Sequence, residues 1–145
     1  MTTERAGSPE RTARAPRHVR LTDRVILAVT GLTGIVIGVA GTASTRAFYA
    51  ANGVDLGHSP AALSDARAAA GAVLATGLLV ALGAVVTRLT SLAAATGAAV
   101  LLGYGLARLL SIALDGLPGT PLIVATGVEL ALGAACLIVL ARSRI

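Results

Sequence analysis

Four long apolar runs leave this chain few ways to fold. They cover residues 25–43, 66–86, 92–114 and 121–141, and the first contains no charged residue. Each reaches the roughly 20 residues that a helix needs to cross about 30 Å of hydrocarbon at 1.5 Å per residue. Backbone groups in lipid must be paired within the segment, and no run alternates as a barrel strand does. Four transmembrane helices follow. Buried helices of a soluble protein are the rival reading, but 145 residues leave no shell to enclose four of them. Only 13% of residues are charged, about half the usual soluble fraction.

The links agree with this division. Thr87-Arg88-Leu89-Thr90-Ser91 is short enough to make the second and third spans antiparallel neighbours. Residues 115–120 read as a turn, with Pro121 in the first turn of the fourth span. The long connection, residues 44–65, holds turn signals at Asn52-Gly53 and Ser59-Pro60. Ser64 is the expected cap of the second span, which places Asp65 at its first helical position and Arg67 at its third. Thr22 or Asp23 is the expected cap of the first.

Residues 1–24 differ from the rest. They carry Arg5, Arg11, Arg14, Arg17, Arg20 and Arg24 with Pro9 and Pro16 and little apolar content, and are expected to form a flexible tail. The tail, the Arg88 turn and the basic end at 142–145 fall on one side of the membrane. They place nine arginines there against Glu4, Glu10 and Asp23. The other side holds Arg46, Arg67 and Arg108 against Asp55, Asp65, Asp115 and Glu129. The positive-inside bias puts both termini in the cytoplasm. The formal charge of +5 is then mainly a topology signal. Nucleic-acid binding is not expected, because the arginines come without aromatic platforms or lysines. A signal peptide cleaved after Gly41-Thr42-Ala43 would leave three spans, but this apolar run exceeds the usual 7 to 15 residues.

The first span carries Gly31, Gly34, Gly38 and Gly41 down one face, a ridge on which another helix can approach closely. Similar small stripes run through Ala95, Ala99 and Gly103, and through Gly127, Ala131 and Ala135. Packing within the chain is the first expectation for these stripes, with self-association compatible.

Two charges lie deep in apolar runs. Arg108 sits about 9 Å inside the outer end of the third span and Glu129 about 12 Å inside that of the fourth, so antiparallel packing brings them to one level. An isolated charge there costs several kcal/mol, and pairing lowers that cost. The two side chains are expected to face each other. Tyr104 and Ser111 share the face of Arg108, and Asp65, Arg67, Arg46, Tyr49 and Asp115 cluster at the same side of the membrane. This set is either an ion-pair network locking the helices or a pocket for a small polar or anionic solute.

Catalysis has little support. His18 and His58 have no partner set by spacing, Cys136 sits in an apolar span as a packing residue, and no phosphate loop, nucleophile elbow or metal motif is present. No cofactor or metal is expected.

The run GYGLARLLSIALDGLPGTP at 103–121, followed by Glu129 in TGVELALGA, resembles bacterial four-span membrane proteins of the family called domain of unknown function 4345. The matching positions are Gly105, Arg108, Ser111, Asp115, Gly116, Pro118 and Glu129; Phe48-Tyr49 and Arg67-x-x-x-Gly71 are also similar. The resemblance spans residues 25–141, leaves the tail outside, and implies a four-helix inner-membrane fold with the same polar cluster but no activity. The expectation is an all-α, multi-pass, four-helix bundle of a bacterial plasma membrane. Its expected role is structural or accessory and non-enzymatic, with binding or transport through the Arg108/Glu129 pocket as the alternative. Membrane lipids and a second copy or another membrane protein are the expected partners.

Overall fold

The computed structural model describes residues 19–144, so Arg5, Arg11, Arg14, Arg17, His18 and the rest of the expected tail at 1–18 lie outside the described residues. Five α-helices follow in order: α1 Leu21–Ala43, α2 Thr45–Ala51, α3 Pro60–Val85, α4 Thr90–Asp115 and α5 Thr120–Arg144. A single 3-10 turn at Thr87–Leu89 joins α3 to α4. Four of the helices are long and apolar enough to cross a membrane. Their lengths of 23 to 26 residues correspond to roughly 35 to 39 Å, so each reaches beyond the hydrocarbon at one or both ends.

Local chemistry shifts two of the expected helix starts. The helix α3 begins at Pro60, six residues before the apolar run, because Ser59 caps it by accepting from the Ala62 N–H and proline suits the first turn. Ser64 is therefore an interior residue rather than a cap, and Asp65 and Arg67 sit in the second turn. At α1 neither Thr22 nor Asp23 caps the helix. The cap residue is Arg20, without a side-chain bond, and the Asp23 carboxylate instead accepts from Arg142 Nη1 at 3.2 Å. Part of the long connection is helical: α2 closes where Asn52 Nδ2 donates back to the Phe48 carbonyl at 2.7 Å. Gly53 and Gly57 then adopt positive φ in the turns that lead to α3.

The chain packs as two antiparallel hairpins, α1 with α3 and α4 with α5, which meet mainly through α3 and α4. In the first hairpin all four ridge glycines face α3. A Cβ on Gly38 would lie 2.5 Å from the Leu74 backbone, one on Gly41 2.8 Å from Ala70 Cβ and one on Gly34 2.9 Å from Gly77 Cα; one on Gly31 would overlap Ala81. Only glycine permits this approach. The ridge is used within the chain.

The second hairpin interlocks differently, with Leu130 seated over Gly105 and Leu102 over Gly133. The stripes expected to pack in these two helices do not do so. Ala99, Gly103, Gly127 and Ala131 are exposed, Ala95 and Ala135 are half-buried, and nothing lies near a Cβ built at Gly103 or Gly127. The closely packed small residues are instead Ala93, Ala94, Gly97, Ala98 and Gly105 on α4 and Gly133 on α5.

One end of the bundle holds the helix ends next to the two termini and the α3–α4 turn; the other holds α2, the loop after it and the α4–α5 turn. The dense core lies toward the first, where Leu27, Val80, Ala93, Ala94, Ala98, Cys136 and Val139 form one buried cluster. Thr90 Oγ1 closes the α3–α4 turn by donating to the Gly83 carbonyl at 3.0 Å. All four long helices also expose large apolar side chains, among them Val29, Leu82, Leu110 and Val124. So broad an apolar surface suits lipid rather than water.

Candidate functional site

Between the two hairpins, from mid-bundle to the loop end, lies a cavity of about 330 Å³. On α3 its wall runs from Ala69 to Val80 with contributions from Val73, Thr76 and Gly77, a helical stripe roughly 17 Å long. The α1 wall includes Thr30, Thr33 and Ile37; α4 adds Gly97, Val100, Leu101 and Tyr104; and α5 adds Leu122, Ala125, Val128 and Leu132. Phe48, Tyr49, Asn52 and Val54 line the cavity from α2 and the residues after it.

Arg108 and Glu129 line the same space. The guanidinium Nε donates to both carboxylate oxygens, at 3.0 Å to Oε2 and 3.3 Å to Oε1. Their side chains are 33% and 17% exposed. The pair sits where it does because α4 and α5 are joined by a tight turn: Gly116, at φ +96°, ends α4, and Thr120 starts α5 after only four intervening residues. Positions at similar depth in the two helices are thereby opposed. The contact uses Nε alone, and no described residue accepts from Nη1 or Nη2.

Of the nine residues expected to cluster, four line the cavity: Arg108, Glu129, Tyr104 and Tyr49. The other five are elsewhere. Ser111 donates to Asp115 at 2.9 Å on the exposed end of α4. Arg46 donates to the Gly57 carbonyl at 3.0 Å and approaches His58 Nδ1 at 3.5 Å, holding the loop after α2. Asp65 and Arg67 are exposed and bond to no described residue. The reason is angular: the cavity stripe on α3 projects back through Ala66, and its two neighbours at positions 65 and 67 point away from it by about 100° each.

The sequence pattern did not reveal the hydroxyls of Thr30, Thr33 and Thr76, or Asn52, as wall residues. Thr30 and Thr33, three residues apart in the first apolar run, and Thr76 in the second are the available signal, and a weak one. It also missed a second ion pair at the far end, where Asp23, its side chain 7% exposed, meets Arg142, 41% exposed. Cys136 is buried with its thiol 3.8 Å from Thr30 Oγ1. Among the described residues no group of His, Cys, Asp and Glu could hold a metal ion.

A family model, domain of unknown function (DUF4345), matches residues 22–140. The chain belongs to this family. The DUF4345 match starts in the first turn of α1 and ends near the last turn of α5, so it contains all four long helices, the cavity and the Arg108–Glu129 pair. No curated protein and no solved structure matches the chain.

Proposed function

We propose that this multi-pass membrane protein is a non-enzymatic binding protein that holds a small, mostly apolar molecule between its hairpins. The observation that carries the reading is the cavity itself: a space within the size range of small-molecule sites, walled largely by aliphatic side chains, with a few polar groups converging on one part of it. A bundle whose role was only to lock four helices would gain dispersion contacts by closing that space. The arginine bias of the termini end favours a cytoplasmic location for that end, so the cavity faces the opposite side of what we take to be a bacterial plasma membrane.

A second reading has one observation in its favour. Arg108 and Glu129 are in direct contact, which suits a structural clamp between α4 and α5 in a protein with an accessory role. The two readings differ in what occupies the cavity. The chain has two tyrosines and no tryptophan, and both tyrosines line the cavity, so intrinsic emission reports on that space. Titrating detergent-purified protein with 2-tridecanone should give a saturable change in tyrosine emission at one molecule per chain. The paired cavity-filling substitutions Ala69→Leu and Ala125→Leu should abolish it. A linear, unsaturable response that is the same in both proteins would leave only the clamp.

A further inference from the structure

The polar part of the cavity carries a definite chemical bias. Arg108 and Glu129 cancel each other's charge, so the site as a whole is neutral. Several of its hydrogen-bond donors are unanswered. The two Glu129 oxygens share the single Nε–H and keep lone pairs to spare, while the N–H groups on Nη1 and Nη2 have no described partner and are not shut away from the surroundings. The hydroxyls of Tyr49 and Tyr104 are likewise without a described partner, and both residues line the same cavity as the pair. The guanidinium N–H groups and the two phenol O–H groups are the unanswered donors there.

We infer that the cavity selects an uncharged amphiphile whose head carries a hydrogen-bond-accepting carbonyl, of the ketone, ester or quinone class. This rests on the binding reading above. A carboxylate or phosphate head would add a net negative charge to a low-dielectric site whose cation is already paired. An ammonium head would add a net positive charge to the same site, beside the Arg108 guanidinium. An alkane would fill the aliphatic wall and leave the N–H and O–H groups unanswered, which costs affinity. A carbonyl head can sit against Arg108 and a tyrosine hydroxyl, with its chain along the Val73 and Leu101 walls.

The test is a set of probes with one linear chain and four heads: 2-tridecanone, dodecanoate, dodecylammonium and tridecane. Binding to the full-length protein in detergent is read by tyrosine emission and by native mass spectrometry. The ketone should bind saturably and at least about 10-fold more tightly than each of the others. Tyr104→Phe should weaken the ketone about 5-fold and leave tridecane unchanged. Dodecanoate binding as tightly as the ketone or tighter would overturn the inference while leaving a binding cavity. Equal saturable binding of all four would do the same. Absence of saturable binding by any of them would overturn the binding reading and this inference together.

Discussion

The two halves of the bundle are built from similar residues and do opposite things. Toward the termini end, Leu27, Val80, Ala98, Cys136 and Val139 close on one another with almost no exposure. Toward the loop end, the same four helices diverge around a cavity lined by Ile37, Val73, Leu101 and Leu132. Hydrophobicity does not distinguish the halves. What distinguishes them is where small residues meet: Ala93, Ala94, Gly97 and Ala98 let α4 approach α3 and α5 closely at one end. At the other, bulky Tyr104 and Arg108 occupy the corresponding face of α4 and line the cavity. In lipid there is little hydrophobic gain from helix association, so backbone proximity and dispersion decide where a bundle closes.

The sharpest way to break this contrast is to attack the backbone seam. A Cβ at Gly31 would overlap Ala81, so Gly31→Val should cost more than about 3 kcal/mol. It should deplete folded protein in a detergent-solubilised expression assay. Next comes the ion pair in the open half. Arg108→Met strands the Glu129 carboxylate beside aliphatic walls and should cost about 2 to 3 kcal/mol, reduced from a fully buried case by its partial exposure. Adding Glu129→Leu should recover most of that loss in a denaturant titration, since no unpaired charge remains. If the double variant is as unstable as the single, the pair is a structural clamp and the open half is not independent of it.

These magnitudes depend on features of unequal legibility in the sequence. The four spans could be read because an uninterrupted apolar run of about 20 residues has few other uses. The facing of Arg108 and Glu129 could be read because a short turn fixes the relative depth of two antiparallel helices. Depth is a one-dimensional property. Direction around a helix axis is not, and there the reading failed. Asp65 and Arg67 were grouped by depth with the pair yet point away from the cavity, and the stripes at Ala95, Ala99 and Gly103 and at Gly127, Ala131 and Ala135 turned out not to be the packed faces. The helix α3 starts before its apolar run because the Ser59 cap and Pro60 begin it outside the stretch that hydropathy marks.

Two smaller effects sharpen the comparison. Asp23→Asn removes one charge of the Asp23–Arg142 pair in the closed half and should cost about 1 to 2 kcal/mol, with Arg142 partly solvated. The loss should shrink as salt is raised in the same denaturant assay. The smallest effect should carry the opposite sign. Ala69→Leu fills part of the cavity wall and should leave stability unchanged or raise it by up to about 1 kcal/mol, while weakening 2-tridecanone binding. A destabilisation above about 2 kcal/mol at this position would mean that the open half is packed as tightly as the closed one.

The central claim, one closed half and one open half, is tested most directly by chemical access. In a Cys136→Ala background, Ala125→Cys places a thiol in the cavity wall and Ala94→Cys places one in the closed core. N-ethylmaleimide should modify the thiol at position 125 and be blocked there by 2-tridecanone, while the thiol at position 94 stays unmodified in folded protein. Equal protection of both thiols, or equal modification of both, would contradict the account.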